Sequence, residues 1–148
     1  MGDGSARAGL EEQVRASGLG GKVVFTGLVA PGEVPRLVAV MDCLAHLSYR
    51  EALSRALPQA LAAGKPVVAY DFDGADEICI EGETGFLVHT GDVPAVTQRL
   101  AELAANPALR ERFGKRGQAM VREQFPVEHM LDQLYQLYQK LLARELST

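Results

Sequence analysis

The strongest constraint on this chain is a repeated switch between two hydrophobic periods. Four short runs are largely apolar: KVVFT (22–26), CLAHL (43–47), PVVAY (66–70) and FLVH (86–89). Between them lie stretches of about ten residues with apolar positions at helical spacing. A continuous apolar run marks a strand buried on both faces. Strands of that kind alternating with helices specify a parallel sheet covered by helices, an α/β fold.

The helical stretches have legible ends. Residues 6–17 place Leu10 and Val14 on one face and stop at Gly18, Gly20 and Gly21. Pro31 and Glu33 open a second helix with Val34, Leu37, Val38 and Met41 inward. Ser54–Ala63 forms a third, closed by Gly64, and residues 75–80 make one helical turn. Beyond Val93 the pattern is helical over 93–104, 107–123 and 127–145. The last of these carries a stripe of Val127, Met130, Leu131, Leu134, Tyr138 and Leu141, read as a packing face.

The 148 residues fit one domain, with an α/β part over about 1–92 and a helical tail over 93–148; a two-domain enzyme in one chain is excluded. Nineteen acidic against 15 basic residues give a net charge of -4, which argues against nucleic-acid binding. No apolar run approaches the roughly 20 residues of a membrane helix. MGDGSARAGLEEQ has no signal-peptide pattern, so an intracellular domain is expected. Cys43 and Cys79 lack metal or redox spacing and read as reduced core thiols.

In open parallel sheets ligands lie beyond the carboxyl ends of the strands, so the segments after 26, 47, 70 and 89 are the ones to search. Gly27 permits close backbone approach to a ligand, or simply makes a tight turn. Ser48–Arg55 is a polar loop entering a helix. The amides of Leu53, Ser54 and Arg55 suit a phosphate, Glu51 suits sugar hydroxyls, and Gln59 offers an amide further along the helix. The plainer alternative makes Ser54 an N-cap, Arg50 and Glu51 solvated charges, and Gln59 a surface amide. Asp71–Glu77 reads as a solvated acidic turn. His46, His89 and His129 are scattered and share no metal-ligand spacing.

Residues 48–92, SYREALSRALPQALAAGKPVVAYDFDGADEICIEGETGFLVHTGD, resemble the donor-binding half of retaining glycosyltransferases of family four (glycosyltransferase group 1, GT-B fold). Members read S-x-x-E-G followed by E-A-x-A-x-G-x-P-V-V-A, then G-x-x-E, G-x-T-G-x-L-V and G-D. Residues 23–48 resemble the family's preceding segment, and 105–130 its helical tail. The nonhydrolysing sugar-nucleotide epimerases share the fold but not that tail.

The resemblance implies roles residue by residue. Glu51 matches the first acid of the E-x7-E motif and contacts donor-sugar hydroxyls. Gln59 stands at the second acidic position, which binds the ribose hydroxyls. The backbone of Leu53, Ser54 and Arg55 faces the donor phosphates, and that of Gly27 and Leu28 meets the base. Gly74 and Glu77 match the G-x-x-E turn, taken as structural. No catalytic residue, metal or cofactor is implied in this stretch; the nucleotide-diphosphate sugar is a substrate. Two positions depart from the pattern. Ala52 replaces a glycine, and Gln59 replaces a glutamate; the glutamine still hydrogen-bonds a hydroxyl, but without charge assistance the bond is ~1 kcal/mol weaker.

A complete member pairs an N-terminal acceptor domain with this donor domain and reacts in the cleft between them. Its donor domain opens with a strand carrying G-R-x-x-x-x-K-G, then a helix and a strand ending in G-D/E-G, of which Gly2-Asp3-Gly4 matches only the last turn. The expectation is therefore a Rossmann-like parallel sheet truncated at its N-terminal strands, with a C-terminal helical tail. The parent reaction moves a hexosyl group to a polysaccharide or lipid-linked acceptor, reached through a missing N-terminal domain. The enzyme is expected to be cytoplasmic, at the inner membrane face when full-length, and the isolated chain inactive. In a 3-2-1-4-5-6 order, runs 22–26 and 43–47 are positions 3 and 4. Either they pair directly or a strand comes from another chain, so strand-mediated self-association is expected. The alternative is a non-catalytic subunit or remnant acting through protein–protein association.

Overall fold

The computed structural model describes residues 2–51, 54–72 and 74–145. The chain forms two units, Met1–Leu37 and Val38–Thr148. The first contains helix α1 (Arg7–Ala16), a single 3₁₀ turn (Pro31–Glu33) and the start of α2 (Val34–Ala39). Arg7 anchors this unit. Its Nε donates to Glu11 at 2.7 Å and its guanidinium to Asp3 at 3.0 Å. The Gly2 amide donates to the Gly27 carbonyl at 2.9 Å, tying the N-terminal turn to the segment after 22–26.

The expected strand at 22–26 does not form, nor does its direct pairing with 43–47; the described residues of the first 21 contribute α1 and no strand. A strand exists only through a ladder, and this run has no ladder partner among the described residues. Its first amides instead return to the end of α1, Lys22 and Val23 both donating to the Leu19 carbonyl, and Val24 is 83% exposed.

The second unit holds the sheet. Strands β1 (Leu44–His46), β2 (Val67–Tyr70) and β3 (Gly85–Val88) run parallel in the order β1-β2-β3. Leu44 faces Val67, and Val67 faces Gly85. All four β2 residues are buried, as a central parallel strand requires. Helix α3 (Ala56–Ala62) packs on β1 and β2, and α4 (Val93–Ala105) on β2 and β3. Val68, Tyr70, Phe86 and Val88 form one core cluster with Val96 and Leu103 of α4 and Phe113 of α5 (Pro107–Gln124). Phe86 and Phe113 meet edge to face at 5.3 Å.

Caps place the tail helices where their sequences set them. The Asp92 carboxylate accepts from the Ala95 amide at 2.9 Å, and the Asn106 side chain from the Leu109 amide at 3.0 Å, with Pro107 at the first turn of α5. Arg110 donates to the Leu103 and Ala104 carbonyls, closing the end of α4. Helix α5 then lies close on α3. A Cβ on Gly117 would stand 2.5 Å from Leu61 Cδ2, and one on Gly114 would collide with the Gly64 carbonyl oxygen. Segment 75–80 makes turns containing one helical bond, Cys79 N–H to the Ala75 carbonyl at 2.7 Å.

The apolar stripe of α6 (Val127–Glu145) departs from its expected role. Each of its six residues is at least 42% exposed, so it is not a packed face in this structure. Amphipathic spacing records what a helix can bury, not whether a neighbour is present.

Two measurements check this packing. Gly114→Ala drives a methyl into the Gly64 carbonyl, and we expect a loss of about 2 kcal/mol or more in urea unfolding. Cys79 is buried and free, and burial, then the Glu81 charge, pushes its thiol up to about 12 from 9.0. The folded thiol thus keeps its proton to higher pH than the unfolded one. Its contribution is complete below pH 9.0 and is lost as pH rises toward 12. Between these values, stability should fall more steeply with pH in the wild type than in Cys79→Ala, by up to about 1.4 kcal/mol per pH unit. Equal slopes would contradict the burial argument.

Candidate functional site

The parallel register aims all three carboxyl ends the same way, and their loops meet there. Strand β1 ends at His46, β2 at Tyr70 and β3 at Val88. The Asp71 amide donates to the Val88 carbonyl at 2.8 Å, and the Thr90 hydroxyl donates to the Asp71 carbonyl at 2.9 Å. These bonds pin the loops after β2 and β3 to each other.

The loop after β1 folds back over the same end. Tyr49 packs edge to face on Tyr70, with centroids 5.6 Å apart at 70°. His46 meets Phe72 in the same manner at 5.8 Å and 61°. Its Nε2 lies 2.6 Å from Oε2 of Glu51. The Ser48 hydroxyl donates to the Arg50 carbonyl at 3.3 Å, tightening the turn that carries Glu51.

Glu51 stands exposed at the surface of this cluster, held by His46. Ser54 is buried, and its hydroxyl oxygen accepts from the Ala56 amide at 3.2 Å, opening α3. Arg55 occupies the N-cap position of α3 with helical backbone angles and an exposed side chain. Gln59 is exposed on α3, and its side chain makes no hydrogen bond among the described residues. Leu53 and Ala52 lie outside the described residues.

Gly27 and Leu28 belong to the first unit. Gly27 is buried at φ +66, and Leu28 is 83% exposed. A Cβ at Gly27 would sit 3.0 Å from an Arg7 guanidinium nitrogen, so the turn suits glycine both sterically and conformationally. In the second unit, Gly74 turns the chain at φ +82, and Glu77 is exposed while Ala75, Ile78 and Cys79 are buried. That pattern fits a turn whose first duty is structural. Among the described residues no group of three His, Cys, Asp or Glu side chains could hold a metal ion.

The contact of His46 with Glu51 has no signature in sequence spacing, because a bond between a strand's last residue and a loop five positions on has no regular period. The available signal was position: His46 closes an apolar run immediately before a polar loop containing an acid.

The architecture is that of GT-B glycosyltransferases. Sucrose-phosphate synthase from Thermosynechococcus elongatus superposes with a TM-score of 0.89 at 30% identity, covering 95% of this chain and 35% of that one. HepE from Anabaena in complex with UDP-glucose gives 0.87 at 28% identity, covering 94% and 39%. Residues 1–120 match the family described as glycosyl transferases group 1, and the chain belongs to that family. Among curated relatives, alpha-D-kanosaminyltransferase of Streptomyces kanamyceticus is 26% identical over 140 residues, 95% of this chain and 36% of the relative. The chain spans little more than a third of the length of such relatives.

Ser54 provides a direct check of the loop geometry. Ser54→Ala removes the acceptor for the Ala56 amide, and we expect a loss of about 1 kcal/mol in chemical unfolding. Amide exchange in the first turn of α3 should accelerate more than exchange in α5. Unchanged stability would show that the bond from the Ala56 amide to Ser54 does not support the start of α3.

Proposed function

We propose that this chain is the nucleotide-sugar-binding part of a retaining glycosyltransferase that transfers a hexosyl group to a hydroxyl acceptor on a polysaccharide or lipid-linked glycan. The observation that carries this reading is the likeness to HepE in complex with UDP-glucose, which extends over 94% of the chain. The residues at the carboxyl end of the sheet support it chemically. Glu51 is acceptor-only when ionised and meets sugar hydroxyls. The backbone at Ser54 and Arg55, with Leu53 before them in the chain, serves the diphosphate and Gln59 the ribose. The Gly27–Leu28 backbone, in the first unit, is assigned to the base by the resemblance in sequence alone. Fixing the diphosphate orients the leaving group and stabilises its growing charge.

In this reading the chain is one partial domain that works in the cytoplasm with an acceptor-binding domain, binds its donor without a metal, and does not turn over alone. No helix among the described residues is long and apolar enough to cross a membrane. A second reading, a non-catalytic subunit acting through protein–protein association, draws support from the exposed apolar face of α6.

Titration calorimetry with UDP-, GDP- and ADP-sugars tests the first reading. We expect one nucleotide sugar to bind with the same affinity in EDTA. Glu51→Ala should weaken it roughly tenfold or more while leaving the free nucleotide unaffected. Gln59→Glu should tighten both by roughly fivefold through a restored charge-assisted bond. Absence of binding by all three would favour the association reading.

A further inference from the structure

This inference rests on the donor-binding reading of Glu51 and deepens it. His46 is held from two directions, by the sheet as the last residue of β1 and by the ring of Phe72 at 5.8 Å. Its side chain is 18% exposed, against 38% for that of Glu51. A side chain set in the frame of the fold therefore grips a carboxylate borne on a loop, at 2.6 Å through Oε2. The second oxygen, Oε1, takes no hydrogen bond from the described residues and remains an acceptor.

We propose that His46 is a positioning residue. It fixes the Glu51 carboxylate through Oε2 so that Oε1 is presented to a hydroxyl of the donor sugar. A free loop glutamate loses its rotamer freedom when a ligand orders it, which weakens binding by roughly tenfold. With His46 in place the side chain is ordered before the ligand arrives. Contact with Phe72 alone does not account for a histidine here, since an aliphatic residue would pack on that ring without reaching the carboxylate. The bond to Glu51 uses what only the imidazole supplies, a ring nitrogen at the far end of a rigid side chain.

Three substitutions separate positioning from packing. His46→Gln places an amide nitrogen near the position of Nε2, His46→Asn places one near Nδ1, and His46→Leu fills the space without a polar group. UDP-glucose and UDP serve as calorimetric probes, with thermal melts confirming that each variant is folded. We expect His46→Leu and His46→Asn to bind UDP-glucose roughly tenfold more weakly and His46→Gln to recover most of that loss. UDP affinity should stay within about twofold throughout. His46→Leu combined with Glu51→Ala should bind no more weakly than Glu51→Ala alone, as expected for two residues acting through one contact. Should the His46 variants fail to fold, NMR of the wild type keeps the test: a protected His46 ring N–H proton is expected, lost in Glu51→Ala, and its absence from the wild type overturns the role. If the wild type binds UDP-glucose but all three His46 variants weaken it equally, or weaken UDP to the same extent, the positioning role is overturned alone. If the wild type binds neither probe, the donor-binding reading falls and takes this role with it.

Discussion

Burial of β2 on both faces is the condition on which the rest of the second unit depends. Val67 to Tyr70 have no exposed side, so every polar backbone group must be satisfied by β1 and β3, and every side chain by a helix. That requirement places α3 against β1 and β2 and α4 against β2 and β3. The connections that carry the chain back to the same end, α3 between β1 and β2 and the turns between β2 and β3, keep the strands parallel, which gathers the three carboxyl ends on one side. The aromatic contacts of Tyr49 with Tyr70 and of His46 with Phe72 exist because these residues sit on or just past strands that end together.

Close helix approach has a separate origin. Helix α5 reaches α3 because two glycines face it: Gly114 over the Gly64 turn, and Gly117 over Leu61. The Gln118 side chain donates to the Ala62 carbonyl at 2.8 Å, satisfying a group at the end of α3. Arg110 does the same for the last carbonyls of α4. The tail over 93–124 is thus part of the core of this unit, covering one face of the sheet through Val96, Leu103 and Phe113.

What could be read from the sequence was whatever local pattern determines. The PVVAY run gave its strand because continuous apolarity has few other uses, and Asp92 and Asn106-Pro107 marked helix starts because their side chains serve the backbone that follows. KVVFT failed for the converse reason: strand propensity lies in the run, but strand existence lies in a neighbour, and no ladder partner is present among the described residues. The Glu51 region was found by resemblance to a motif rather than by periodicity. Its link to His46 escaped because it crosses from a strand end into a loop, where spacing carries no geometric meaning. The departure at Gln59 was visible as a residue type, and the structure adds that its side chain is solvent-facing on α3.

Helix α6 gives the folded chain a property unrelated to its sheet. Nineteen residues make a rod about 28 Å long, and Leu131, Leu134, Tyr138 and Leu141 keep roughly half of their surface in water. Apolar areas of this extent are where folded proteins adhere to one another and to hydrophobic surfaces. The helix is therefore amphiphilic along its length. Adhesion through this rod is expected to respond to concentration and to mild surfactants that wet it.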